Sequence, residues 1–248
     1  MKPILDEYNP RSANPIYQLT AGLRFYASGF ALLFRNPGLL ALSLVPVALT
    51  IVAIVVMLIV SVWIAGRMIE GVSPVRDQLR TLTQLLVLVF ALFVSHILYV
   101  PLARVFLAPF AEAISRRTSA IIGAPVSVPG SSWIRSMLEG AKLVSLQLAV
   151  AILAIALSLT IPVVGGFIGV AFAIFFVSLD YLDVPLSVRG LKLREKLKII
   201  GGHKSLALGF GMAGYVMLVI PIVNLFSLPV GVVGATLAHR AMTREDSA

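Results

Sequence analysis

Charged residues separate long apolar runs along this chain. The first run, Leu39–Ala65, holds 27 residues without a charge. As a helix it would be about 40 Å long, against a hydrocarbon core of about 30 Å in a bilayer. A second uncharged run covers 81–103. We therefore predict two long transmembrane helices, at 39–65 and 81–103.

Residues 1–38 predict an N-terminal amphipathic helix ahead of the first span. Asn14-Pro15 is a typical helix start, because asparagine caps the first N–H groups and proline fits the first helical position. Apolar side chains then recur at helical spacing up to Asn36-Pro37-Gly38. Such a helix lies at the cytoplasmic membrane interface or packs against the rest of the protein. The pattern leaves both placements open.

Two later apolar regions are interrupted by proline at corresponding places, which indicates a weak internal repeat. After Pro162 and Gly165, only 13 apolar residues precede Asp180, about 20 Å of helix. Pro221 and Asn224 interrupt the second region in the same way. We predict two short, half-penetrating helical hairpins at 143–179 and 205–238, with these four residues at their tips. Two pairs of short spanning helices are the alternative.

The predicted fold class is an all-α integral membrane protein, a single membrane domain over 1–248. It combines the two long spans, the two short hairpins and interfacial amphipathic helices. Three polar segments complete it: amphipathic helices at 104–142, a basic cytoplasmic segment at 180–204 and a tail at 239–248.

Composition and charge agree with a membrane protein. The chain is 59% hydrophobic and 12% charged, too few charges to cover a soluble fold of this length. Lysine and arginine number four in 1–38, three in 66–80, five in 104–142, six in 180–204 and two after 237. If 66–80 is external, the other segments share the cytoplasmic side, as the positive-inside rule requires. Both termini are then cytoplasmic, and the net charge of +9 does not call for a nucleic-acid partner.

Enzyme chemistry finds little support in the sequence. There is no cysteine, and the three histidines are dispersed over different segments. Neither an H-E-x-x-H helix nor a G-x-S-x-G elbow occurs, so we expect no catalytic residue, no metal and no cofactor. The letters G-x-G-x-x-G at 209–214 stand inside an apolar run without a preceding strand. We interpret these glycines as helix-packing positions.

Two charged stretches are candidates for contact with an ion or a lipid. Charges that directly continue a span are interfacial anchors or the polar entrance of a pore. The four entrance candidates are Arg104, Glu112, Arg116 and Arg117, of which the second and third have the spacing of an ion pair on one helix face. The six basic residues from Arg189 to Lys204 predict a cytoplasmic helix that contacts anionic lipid or concentrates an anion.

Several motifs, in order, resemble the CysZ sulfate transporter family, which shares a domain family with the etoposide-induced protein 2.4. The motifs are Arg35-Asn36-Pro37-Gly38-Leu39, Ala108-Pro109-Phe110, Ile161-Pro162-Val163-Val164-Gly165, Leu182-Asp183-Val184-Pro185-Leu186, Ile220-Pro221-Ile222-Val223-Asn224-Leu225 and Leu228-Pro229-Val230-Gly231. The resemblance implies two full spans, two half-penetrating hairpins, a homo-oligomer and sulfate uptake for cysteine synthesis.

The resemblance also directs attention to the turn before the first span. In that family, arginines that follow Pro-Gly-Leu are implicated in sulfate binding, whereas here Leu40-Ala41 follow. Backbone N–H groups at a helix start can still attract an anion. The anion-binding candidates are therefore Arg35, Gly38, Leu39 and Leu40.

We thus predict a permease or channel for sulfate or a related small anion in a bacterial-type inner membrane, in contact with lipids and assembled as a homo-oligomer. The alternatives are a membrane-shaping scaffold without transport and an accessory subunit of a transporter.

Overall fold

The structure, a computed structural model, is all-helical over the residues that it describes, with no strand among them. These residues are 5, 7–10, 12, 14–70, 85–90, 107–126, 133–160 and 162–243. The helices are α1 Pro15–Arg35, α2 Pro37–Glu70, α3 over residues 107–121, α4 Trp133–Thr160, α5 Pro162–Val188, α6 Leu193–Gly202, α7 Lys204–Val219, α8 Pro221–Asn224 and α9 Ser227–Met242. The all-α class is confirmed. Of the predicted span 81–103, only 85–90 is described, and it is helical.

Three helices of the described part are long and apolar enough to cross a membrane. They cover Pro37–Ile64, Gly140–Leu157 and Gly165–Val188. The first coincides with the predicted span 39–65. The other two lie in the region predicted as the first short hairpin.

The chain divides into two compact units, one of residues 44–108 and one of residues 1–43 with 109–248. In the first unit, the part of α2 beyond residue 43 exposes most of its large apolar side chains. Near its end, the Arg67 guanidinium carbon lies 5.5 Å from the centre of the Trp63 ring. Such a pair of an aromatic and a basic residue is typical of a membrane–water boundary.

In the second unit, α1 is a central helix, packed against both α7 and α9. Phe25 and Leu33 are fully buried on this helix. Phe34 packs against Phe226, at the start of α9, with 5.8 Å between the ring centres. Of the two placements that the sequence left open, the structure supports the packed one, and the interfacial placement of 1–38 stays a prediction.

Glycines allow these helices to pack closely. A Cβ at Gly22 would overlap the backbone of Leu206 on α7, and one at Gly209 would overlap the carbonyl of Leu19 on α1. At Gly231 it would lie 2.5 Å from the Tyr181 ring of α5. The glycines of 209–214 are therefore helix-packing positions, as predicted.

Helices α4 and α5 form an antiparallel hairpin around residue 161. Gln147 Nε2 donates to Asp180 Oδ1 at 2.7 Å, and the two helices pack along each other. The predicted end of this hairpin at 179 is wrong, because α5 continues to Val188 and has 27 residues, about 40 Å. Asp180 does not end the helix because its carboxylate accepts this hydrogen bond. Helix length therefore gives no support for half-penetration here.

The second hairpin is short, as predicted. Helices α7 and α9 have 16 residues each and are joined through α8. Each is about 24 Å long, less than the hydrocarbon thickness. Both pack against α1 and α5, so this hairpin belongs to the protein core. Its depth in a bilayer stays a prediction.

Candidate functional site

The turn between α1 and α2 is built around Asn36. Its side-chain Nδ2 donates to Leu32 O at 2.8 Å, which satisfies a carbonyl at the end of α1. Its own carbonyl accepts from the N–H groups of Leu39 and Leu40, each at 3.0 Å. One residue therefore closes α1 and starts α2.

This arrangement leaves one free backbone donor at the start of α2. Pro37 has no N–H, and the N–H groups of Leu39 and Leu40 are engaged by Asn36. Gly38 is exposed, and its N–H has no acceptor in the described part of the chain. The positive end of the helix dipole adds to this donor. Of the predicted backbone donors, Gly38 alone is available.

The other two candidates in this turn have different roles. Leu39 is fully buried in the hydrophobic core, and Leu40 packs partly against it. These two side chains anchor the start of α2 to the second unit. Their N–H groups are bonded to the Asn36 carbonyl, so neither offers a free backbone donor to an anion.

Arg117, on α3, lies against Gly38. A Cβ at Gly38 would be 3.2 Å from Arg117 Nη2, so the guanidinium is at van der Waals distance from the glycine. Arg117 is exposed and has no hydrogen bond or ion pair with another described residue. A full positive charge thus stands beside the positive end of α2. A negative ion between them would stabilise both.

The position of α3 is fixed by its opposite face. Ile114 is fully buried, and Ser115 Oγ lies 3.0 Å from Thr236 Oγ1 of α9 in a buried hydrogen bond. With this face in the core, Arg117 points away from it. The sequence identified both Gly38 and Arg117, but nothing in their spacing indicated that they meet.

No contact among the described residues brings the remaining charged candidates to this turn. Arg35 is exposed in the last turn of α1, where a cation favours the helix dipole. Glu112 and Arg116 are half-buried on α3, and the ion pair that their spacing predicted is not formed. Arg104 lies outside the described residues.

The predicted hairpin tips lie at helix starts and in turns. Pro162 begins α5, and Gly165 is buried one turn later. Pro221 begins α8, and Asn224 Oδ1 accepts from Ser227 Oγ at 2.9 Å. The tip of the second hairpin is close to the end of α1, through the Phe34–Phe226 contact. It therefore lies at the same end of α1 as Gly38.

A family model described as "Sulfate transporter CysZ/Etoposide-induced protein 2.4" matches residues 25–229. The chain belongs to this family. The match includes Gly38, Arg117, the first hairpin and the first arm of the second hairpin, and it confirms the resemblance found in the sequence. This is a family of transporters and not of enzymes.

Similar proteins are found in several pseudomonads, each named "Sulfate transporter CysZ". The Pseudomonas aeruginosa (strain LESB58) protein is 24% identical, covering 88% of this chain and 93% of the relative. The Pseudomonas fluorescens (strain Pf0-1) protein is 24% identical, covering 88% and 92%. The Pseudomonas syringae pv. tomato (strain DC3000) protein is 25% identical, covering 87% and 90%. The CysZ family match and the three long apolar helices together indicate a membrane protein.

Proposed function

We propose that this protein is a permease or channel that passes sulfate or a related small anion across a bacterial-type inner membrane. The family match over most of the chain and the names of its relatives support this function. We further propose that both termini are cytoplasmic, that the protein is a homo-oligomer in contact with lipids, and that the anion supplies cysteine synthesis.

The observation that carries the proposal is the meeting of Gly38 and Arg117. Leu40 and Ala41 occupy the places where the family resemblance implies arginines. Arg117 brings a guanidinium to the same turn from α3. A guanidinium offers two parallel N–H donors to a tetrahedral oxyanion, and the Gly38 N–H offers a third. In this chain, Arg117 takes over the anion-binding role.

Transport of a dianion into a cell is opposed by the membrane potential. At 100 mV, negative inside, two negative charges face about 4.6 kcal/mol, since each contributes about 2.3. Net uptake therefore requires co-transported cations or rapid consumption of the anion inside. Use of the anion in cysteine synthesis satisfies the second condition.

The test is uptake of radiolabelled sulfate into vesicles that contain the protein. Vesicles that contain the wild-type protein should take up sulfate faster than empty vesicles. Arg117→Gln should weaken sulfate binding about tenfold or more. The reason is that a lost charge-assisted hydrogen bond costs about 1.5–3 kcal/mol. Arg194→Gln is the matched control, because Arg194 is exposed on α6 and the charge change is the same.

A different result would redirect the proposal. If chloride, sulfite or thiosulfate moves and sulfate does not, the substrate class stands and the substrate changes. If none of the four anions enters faster than in empty vesicles, from a correctly inserted oligomer, the permease function is wrong. A scaffold or an accessory subunit would then be the better account.

A further inference from the structure

A buried histidine near the end of α9 lacks a hydrogen-bond partner. His239 is 2% exposed, and neither ring nitrogen bonds to another residue in the part of the chain that is described. An imidazole carries at least one N–H in either protonation state, and burying it unsatisfied costs free energy. An orphan of this kind is typical of a site that holds a water or an ion.

Two arginines lie beside His239. Arg240 follows it on α9, and Arg189 is in the turn after α5. The Tyr181 ring of α5 touches Gly231 of α9, and Arg189 and His239 are separated in sequence by the same interval. Helices α5 and α9 pack together and run in the same direction. Arg189 therefore lies beside His239, as Tyr181 lies beside Gly231. The interaction of Arg189 with the imidazole agrees with this register.

No carboxylate of the described residues forms an ion pair with Arg189 or Arg240 or bonds to His239. Arg189 Nη1 has one long contact, 3.4 Å to Pro185 O, and neither arginine forms an ion pair among the described residues. Two described acids of the neighbouring segments, Asp183 and Glu195, are engaged elsewhere. Asp183 Oδ1 is 2.7 Å from Lys196 Nζ, and Glu195 Oε2 accepts from Lys192 N at 2.7 Å.

The positive charges of the cluster of Arg189, His239 and Arg240 repel one another. Burial and the positive charges of Arg189 and Arg240 lower the pKa of His239 to about 3. Burial and Arg240 also lower the pKa of Arg189. One bound anion would neutralise the two guanidinium groups and accept the imidazole N–H.

We propose that Arg189, His239 and Arg240 form a second anion site, which binds a tetrahedral oxyanion carried by a free phosphate or sulfate or by a lipid headgroup. Guanidinium groups recognise such oxyanions through paired N–H donors. The site goes beyond the proposed transport function.

This second site is separate from the turn at Gly38. Phe34 and Phe226 place the start of α9 near the end of α1, close in sequence to Gly38. His239 is 12 residues beyond the first residue of α9, about 18 Å along the helix. The two sites therefore lie at opposite ends of α9.

Binding by the purified full-length protein tests the proposal. Every variant carries Arg117→Gln, so that the Gly38 turn does not contribute. Labelled sulfate and inorganic phosphate are measured by equilibrium dialysis, and retained phosphatidylglycerol by native mass spectrometry after partial delipidation. The test variant adds Arg189→Gln with Arg240→Gln. The matched control adds Arg194→Gln with Lys198→Gln, which removes the same charge from exposed positions.

We expect the test variant to lose at least tenfold in one of the two assays, while the control resembles the parent. Loss in dialysis assigns the site to a free anion, and loss of phosphatidylglycerol assigns it to a headgroup. Equal behaviour of both variants in both assays would overturn the proposal. The outcome is independent of transport, because flux is not measured and Arg117 is absent throughout.

Thermal unfolding distinguishes anion binding by the two arginines from a purely structural role. Without anion, the test variant should melt no lower than its parent, because the substitutions remove mutual repulsion. Phosphate should raise the melting temperature of the parent and not that of the variant. A lower melting temperature with and without phosphate alike would assign the arginines a packing role and contradict the site.

Discussion

Helices α2 and α9 are both apolar in sequence, but protein covers only one of them. In α2, five of the 28 residues Pro37–Ile64 are buried, whereas α9 buries 14 of its 16 residues. Glycine and alanine recur on α9 at Gly231, Gly234, Ala235 and Ala238, and large β-branched residues dominate α2. An apolar composition thus indicates apolar surroundings. Small residues indicate that another helix provides those surroundings.

The strongest test of this difference is a methyl group added at a glycine. In Gly29→Ala, the new Cβ would lie 2.5 Å from Gly234 N and 2.7 Å from Val230 O, both backbone atoms of α9. Because the two helices must move apart, we expect a loss of about 3 kcal/mol in the free energy of unfolding. Thermal or denaturant unfolding in detergent measures it.

Gly66→Ala on α2 is the matched control, since its new Cβ has no neighbour within 4 Å in the described part of the chain. It should be neutral or stabilise the helix by up to about 1 kcal/mol. Equal losses at Gly29 and Gly66 would mean that α1 and α9 are not packed as closely as described.

Truncation of a valine tests the same difference between α9 and α2, with a smaller expected effect. Val232 of α9 is fully buried, whereas Val62 of α2 is 60% exposed. Val232→Ala leaves a cavity and should cost about 2 kcal/mol. Val62→Ala should change stability by less than about 0.5 kcal/mol, because lipid or detergent fills the space. If the two losses were alike in the same unfolding assay, α2 would be covered by protein too.

The smallest expected effect comes from the titration of His239, which distinguishes α9 from the uncharged length of α2. Its pKa is lowered to about 3 from 6.5, so between these values the unfolded chain binds more protons than the folded one. Stability is therefore full above about pH 6.5 and falls as the pH decreases toward 3. At pH 5.5 we expect a loss of about 1 kcal/mol relative to pH 7.5.

The control for this titration is His239→Phe, compared in an anion-free buffer. The carboxylates titrate in both proteins, so the difference between the two pH profiles isolates the histidine. If the profiles coincide from pH 7.5 to 5.5, His239 is not a buried neutral imidazole.

Features that depend on local chemistry were predictable from the sequence. Asn14 Oδ1 accepts from the N–H groups of Ile16 and Tyr17, at 3.0 and 3.3 Å, as its position before Pro15 predicted. The charge-free length of α2 and the short arms of the second hairpin were also predicted correctly. In each case the determinant lies within one turn or one helix: a cap, a proline, or the number of residues between charges.

The end of the first hairpin was not predictable in this way. Asp180 was expected to end the apolar helix, but Gln147 donates a hydrogen bond to it at 2.7 Å, and Asp183 in the next turn pairs with Lys196 at 2.7 Å. An acidic residue inside an apolar helix costs little when a partner is present. The partners are 33 and 13 residues away, so no local pattern indicated them.

By itself, the sequence determined that this protein is all-helical, that much of it is surrounded by apolar material, and where α1 starts. Tertiary structure decided which apolar helices face protein, and it brought Arg117 to Gly38 and Arg189 to His239. The physical reason is that lipid tails and buried side chains are nearly equivalent as surroundings, so hydropathy does not distinguish them. Contacts between residues far apart in the chain depend on how whole helices pack, and here glycines set that packing.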